Sequence, residues 1–433
     1  MRLSCPQITL ISLLVISLIT SAFAQSSTPQ KRKNLKDFGS SLKRLKWDPQ
    51  KNAAVRLPST DEVANSEEDI IRIDTSLVSC ELLVLDRDGK NVAGLTAADF
   101  SITEDGAPQT VGHFLTGDNI NVPRTIVLIF DYSGSELPYM KNSINAAKVL
   151  VDKLGPNDVM AIVTDDVKLH QDFTSDKKKL KSKLDQLERR SKEVTRGHTK
   201  GTTPGQSKQY SALMATLNEA FNEEDVRPII IFQTDGDEAF SLKNSIMMTI
   251  PEGMEGDTLQ AAKDTIAYYR KRQIEYGAQF SLNDVYRTVE KSRATVYTVV
   301  PGMKLTGLPH ESQLAKVIAE RREQMKKEKG MEDPLSKDGM SSVIWQTQRI
   351  EKLQSALSVV GALTGGWTEF LESPEEADAI YSKIFSDITQ RYILGYYPTN
   401  KEHDGKRRKI DFEVKGHPEY QVLGRRSYFA PEP

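Results

Sequence analysis

The sequence predicts an α/β fold: an open, mostly parallel, doubly wound sheet inserted in a small β-sandwich-like domain. Three observations lead there. Strand-like apolar runs and helix-like stretches alternate between residues 121 and 390, the pattern of a parallel sheet with crossover helices. Strand texture without helices appears before it, at 70–120, and returns after it, at 391–433. Each of those pieces is too small for a stable sheet with two covered faces, so the two are expected to pair. At 433 residues the chain is also long for one domain.

In chain order, Arg2, the apolar run Ile8 to Thr20 and Ala22-Phe23-Ala24 read as a signal peptide over 1–24, cleaved before Gln25. The apolar run is shorter than the roughly 20 residues a spanning helix needs. Export is therefore expected, to the periplasm or beyond the cell, with no transmembrane helix in the mature chain. Cys5 leaves with the signal and Cys80 remains alone, so no internal disulfide is expected, and Cys80 reads as a buried strand residue. Residues 25–69 are rich in lysine, then acidic, and poor in apolar residues, which predicts a flexible linker.

From Ile71 the chain reads as β, with a turn at Asp88-Gly89 and alternation around Phe100 and Ile102. Strands are then expected at Thr125–Asp131, Asp158–Thr164, Arg227–Thr234, Ala294–Val300 and Trp367–Leu371. Helices are expected at Asn142–Leu154, Lys177–Arg189, Ser211–Phe221 and Glu375–Thr389. Val167–Phe173 follows its neighbour too closely for a crossover and reads as an antiparallel strand. Helical insertions are expected at about 241–285 and 302–340. The second carries Leu314, Val317, Ile318 and Met325 on one face, with Arg321, Arg322, Lys326 and Lys327 on an opposite, solvated face. Lys409 to Lys415 alternates strictly, as a strand with one buried face.

A net charge of -2 argues against a general nucleic-acid binder. The stretch GTTPGQSK fails the spacing of a nucleotide-binding loop, because Gln206 and Ser207 stand where glycine and lysine are needed. No serine lies in Gly-x-Ser-x-Gly, and the six histidines form no zinc spacing. No enzymatic chemistry is indicated. The basic stretch Arg189 to Lys208 reads equally as a positive rim that steers acidic ligands and as a soluble loop.

What remains is a set of oxygens at strand ends. Asp131 follows the apolar run Ile126 to Phe130, with Ser133 and Ser135 behind it, and Asp235 follows another apolar run. In an open parallel sheet, ligands bind beyond the carboxyl ends of the strands, where strand order reverses. Two acids at neighbouring strand ends repel by about 3 kcal/mol at an effective dielectric of roughly 20, and a bound cation removes that cost. Oxygen-only ligands suit a hard ion such as Mg²⁺.

Asp131-Tyr132-Ser133-Gly134-Ser135 resembles the Asp-x-Ser-x-Ser signature of von Willebrand factor type A domains. GQSKQYSAL resembles that family's Gly-x-Thr-x-x-Tyr-x-Ala-Leu loop, with Ser207 in the threonine's place, and Asp235 matches its later aspartate. Together with GLTAADFSITEDGAPQTVGHF and RYILGYYPTN, these segments resemble an exported von Willebrand factor A-related acidobacterial family over about Ile71 to Phe429. The resemblance implies a metal-ion-dependent adhesion site of Asp131, Ser133, Ser135, Ser207 and Asp235, with Mg²⁺ or another hard divalent cation. It implies a non-enzymatic module whose protein partner supplies Asp or Glu. Glu136 departs from the family, which usually has methionine there, and as an extra acid beside the metal could act as an internal ligand. The alternative is a metal-independent scaffold of the cell envelope.

Overall fold

The computed structural model describes residues 35–58, 77–116, 122–195, 207–222, 225, 227–246, 248–275, 277–327 and 333–432. The signal segment, residues 25–34 and 59–69 of the expected linker, residues 70–76 of the expected first β segment, and residues 196–206 of the basic stretch lie outside them. Leu35–Pro433 forms one compact unit.

Its centre is a six-stranded sheet of order β12-β11-β10-β7-β8-β9. The strands are β7 (Arg124–Phe130), β8 (Val159–Thr164), β9 (Lys168–Thr174), β10 (Arg227–Gln233), β11 (Thr295–Pro301) and β12 (Thr368–Leu371). All neighbours are parallel except β8 and β9, which pair antiparallel. Every residue of β7 and β10 is buried, as befits central strands covered on both faces. Ile126, Leu128 and Phe130 enter one core with helices α2 (Leu137–Lys153), α3 (Lys177–Thr195) and α9 (Ala377–Gln390). Val127 and Ile129 enter the other, with α4 (Gln209–Glu219), α5 (Gly256–Glu275), α6 (Leu282–Lys291) and α8 (Lys337–Thr364). One strand therefore feeds two layers through its two-residue period.

Two four-stranded sheets lie outside this central sheet and its helices, of order β15-β3-β13-β6 and β16-β14-β4-β5. They comprise β3 (Val78–Leu85), β4 (Phe100–Glu104), β5 (Ala107–Gln109), β6 (Val111–Thr116), β13 (Tyr392–Tyr396), β14 (Arg407–Val414), β15 (Gln421–Leu423) and β16 (Ser427–Phe429). Each sheet takes strands from both sides of the central unit, and all pairs are antiparallel. Their inner faces share one core, with Leu82, Leu394 and Val422 from one sheet meeting Ile102, Ile410 and Phe412 from the other. Cys80 lies in that core, and burial pushes its thiol up to about 12, so it behaves as a small apolar residue.

Residues 35–58 correct the linker expectation. They form a short helix, α1 (Ser40–Lys43), and a hairpin of β1 (Leu45–Asp48) and β2 (Ala53–Arg56). Leu35 is buried, and Phe38, Leu42, Leu45 and Ala54 pack on the second core. Glu219 at the end of α4 accepts from the backbone of Gly39 and Ser41 at 2.8 and 2.7 Å, and Asp284 from Ala54 at 3.1 Å. The few apolar residues suffice because acceptors distant in sequence satisfy the backbone.

Among the inserted segments, α7 (His310–Lys327) packs Val317, Leu314 and Ile318 against Val343 of α8. Arg321 departs from the solvated face expected for it and donates to Ser342 of α8. The 28-residue α8 itself was not anticipated. Its sequence is Ser-rich with an early glycine, so it lacks a clear apolar stripe. Ser336 caps it by accepting from Gly339 N at 2.9 Å, and Gly365 ends it at φ 76°, against Gly424, where a Cβ would collide.

Candidate metal centre

The chain runs outward from β7 to β8 and β9 on one side, then returns to begin β10 on the other. Strand order thus reverses between β7 and β10. Phe130 stands level with both Gln233 and Thr164 in the sheet register, so the residues after all three strands emerge together. These are Asp131, Thr234-Asp235 and Asp165. Backbone bonds fix the level: Asp131 N donates to Gln233 O at 3.1 Å and Asp165 N to Phe130 O at 3.0 Å.

All five residues singled out in the sequence converge here. Asp131 is 1% exposed. Its Oδ1 accepts from Ser133 N at 2.8 Å and lies 3.1 Å from Ser207 Oγ. Its Oδ2 accepts from Gln209 Nε2 at 2.9 Å and Thr234 Oγ1 at 2.8 Å. The hydroxyls of Ser133 and Ser135 lie 3.0 Å apart, and Ser135 donates to Asp235 Oδ2 at 2.7 Å. Ser133 and Ser207 are buried, Asp235 is half-buried and Ser135 is exposed, so the cluster opens to solvent on the Ser135 side.

Three further residues complete the cluster. Asp165 accepts from Ser207 Oγ at 2.6 Å and Tyr132 N at 2.9 Å, holding both the β7 loop and the Ser207 loop. Gln209 shares one amide group among Asp131, Asp235 (3.4 Å) and Asp237 (2.9 Å). Thr234 accepts from Gly236 N at 2.9 Å while donating to Asp131. Asp165 had a signal of the kind that flagged Asp131, an acid directly after an apolar strand. Gln209 had none. From the insertion, Arg272 of α5 donates to Ser207 O and sits 3.7 Å from Asp237, tying that helix to the loop.

The electrostatics are those of gathered like charge. Burial, then the neighbouring Asp165 carboxylate, pushes Asp131 up to about 7 despite its hydrogen bonds. Burial, then Asp237 and Asp131, raise Asp235, and burial raises Asp165 to about 6. Glu136 lies at the start of α2 with no exposed surface, and burial followed by Asp131 and Asp235 raises it well above the usual range. One oxygen each from Asp131, Glu136 and Asp235 falls within 4.8 Å of the others. Glu136 Oε1 is buried and has no hydrogen-bond partner among the described residues. An all-oxygen donor set with converging carboxylates and an orphaned oxygen fits a hard divalent cation.

No protein-family model matches the chain, and no curated protein matches it. Solved structures with some likeness include proximal thread matrix protein 1 of the mussel byssus, at 13% identity and a TM-score of 0.31. That match covers 61% of this chain, which spans 47% of the mussel protein. BatB from Bacteroides thetaiotaomicron is 17% identical over 61% of this chain and 98% of its own, at a TM-score of 0.29. The vWF domain of the type V pili tip protein Mfa5 from Porphyromonas gingivalis is 14% identical over 63% and 96%, at 0.31. Among the described residues, no helix is long and apolar enough to cross a membrane.

Proposed function

We propose that the chain is an exported, non-enzymatic protein-binding module, used in adhesion or assembly, whose doubly wound type A unit is inserted in the β-sandwich. Asp131, Ser133 and Ser135 would hold Mg²⁺ or a similar cation directly, with Ser207 and Asp235 acting through water. The bound ion supplies a site for a carboxylate from outside. The remaining work falls to the protein. Ser133 and Ser135 offer neutral oxygens that leave the cation's charge largely unquenched. Asp165 and Thr234 orient Ser207 and Asp131, and the exposure of Ser135 leaves an approach for a partner's Asp or Glu. The observation that carries this reading is the meeting of five separated oxygen-bearing residues at the switch point of the sheet.

One observation favours the metal-independent scaffold. Asp131 already receives hydrogen bonds from Ser133, Gln209 and Thr234, and Gln209 places an amide where positive charge is wanted. Crosslinked pull-down from native envelope extracts, in Mg²⁺ and in EDTA, separates the two. Partners captured with Mg²⁺ but lost in EDTA and with Asp131→Ala are expected. Identical capture in all three conditions would make the module metal-independent.

A further inference from the structure

We infer that Glu136 is itself a ligand of this cation, an internal carboxylate that competes with a partner's Asp or Glu for its charge. The inference rests on the metal reading above and names how that site is regulated. Glu136 opens α2 but its side chain makes no capping bond, so the helix does not use the carboxylate. It is fully buried. Oε2 receives only Gln233 Nε2, at a long 3.4 Å, and Tyr381 donates to the other end of that amide at 3.0 Å, which holds the Gln233 side chain in place. Oε1 meets no partner, so neither an ionised nor a protonated Glu136 is satisfied there by the described residues. A buried polar atom without a partner calls for an explanation such as a bound ion. Converging with Asp131 and Asp235 within 4.8 Å supplies one.

The consequence is a cation whose charge is quenched from within the chain. Asp131, Glu136 and Asp235 together carry more negative charge than a divalent ion offsets, so the ion attracts an outside carboxylate weakly while Glu136 is bound. A partner's carboxylate, arriving from the Ser135 side, therefore competes with Glu136 for the ion's charge. This differs from a site with methionine there, which has no internal competitor.

The test uses Mn²⁺ as the probe on the full chain, in wild type, Glu136→Gln and Asp131→Ala. Affinity is read by calorimetry, and exchangeable metal-bound water by proton relaxation. Wild type is expected to bind one ion. Glu136→Gln should bind about tenfold more weakly or worse, as expected when ligand charge is removed, and gain exchangeable water. Asp131→Ala should not bind. If Glu136→Gln matches wild type in affinity and water count while Asp131→Ala fails to bind, the metal site stands and Glu136 is not its ligand. A wild type that binds no Mn²⁺ overturns the metal reading and this inference with it. Should Glu136→Gln fail to fold, wild type carrying ¹³C at the glutamate side-chain carboxyls gives the answer by electron–nuclear double resonance. Coupling between Mn²⁺ and a glutamate carboxyl carbon is expected, and its absence overturns the assignment.

Discussion

At the junction of the central sheet with the sandwich, two arginines are fully buried, and each meets an acid. Arg227 of β10 donates to Glu81 of β3 at 3.0 Å, and Arg391, between α9 and β13, to Asp387 at 2.7 Å. At the carboxyl ends of β7 and β10 the chain gathers acids instead, and among the described residues no basic side chain forms an ion pair with Asp131, Glu136 or Asp235. Both regions remove charge from water, but only the first gives each of these buried charges an ion-pair partner; at the strand ends Arg272 pairs with Asp237 alone. The junction can be complete as folded; the strand-end cluster is complete only with a proton or a cation added.

That contrast can be broken in four places. The largest effect is expected at the junction. Arg391→Met leaves Asp387 buried without its cation and should lose about 3–5 kcal/mol of stability in urea unfolding. A loss under about 1 kcal/mol would mean the pair is dispensable to the fold. Next comes the cluster: Mg²⁺ at a hundredfold excess over Kd should add about 2.7 kcal/mol to wild type above neutral pH, and nothing to Asp131→Ala. An equal gain in both chains would locate the ion elsewhere.

The third prediction concerns protons. The Asp131 carboxyl rises from 3.8 to about 7 on folding, so between those values the native chain holds a proton the unfolded chain has released. Its contribution to stability is therefore full below about pH 4 and is lost as pH rises through about 7. Melts in EDTA should show wild type falling relative to Asp131→Asn over that window, with Mg²⁺ reversing the trend because it binds the ionised form. A wild type that gains on Asp131→Asn as pH rises, in EDTA, would contradict the buried-acid account. The smallest effect is expected from Thr234→Val, which removes one donor to Asp131 and the acceptor of Gly236 N. About 1 kcal/mol should be lost in EDTA, by the same melts. No loss would mean Asp131 does not depend on that hydroxyl.

Much of the central sheet was legible because its strands are buried on both faces and so read as unbroken apolar runs. Thr125–Asp131 was expected where Arg124–Phe130 forms, and Arg227–Thr234 where Arg227–Gln233 forms. Asp131 and Asp235 stood out as charges that end such runs. The residues that were missed answer to contacts across the fold. Gln209 matters because α4 delivers its amide to three carboxylates from two other loops, and nothing within its own segment shows it. Leu35 to Arg56 looked too polar to fold because its partners, Glu219, Gln279 and Asp284, lie about two hundred residues away.

The sequence by itself determined where the strands of the central sheet fall, which of them are central, and which oxygen-bearing side chains stand at their ends. Unbroken apolar runs, and abrupt changes from apolar to charged residues at their ends, are local patterns carried by the chain itself. Only the tertiary structure decided which acids meet, and which of them go unpartnered. The level ends of β7, β8 and β10 bring Asp165 to Ser207, and the first turn of α2 turns Glu136 inward beside Asp131. The energy of a buried charge depends on what surrounds it in space, and a sequence records only what precedes and follows it.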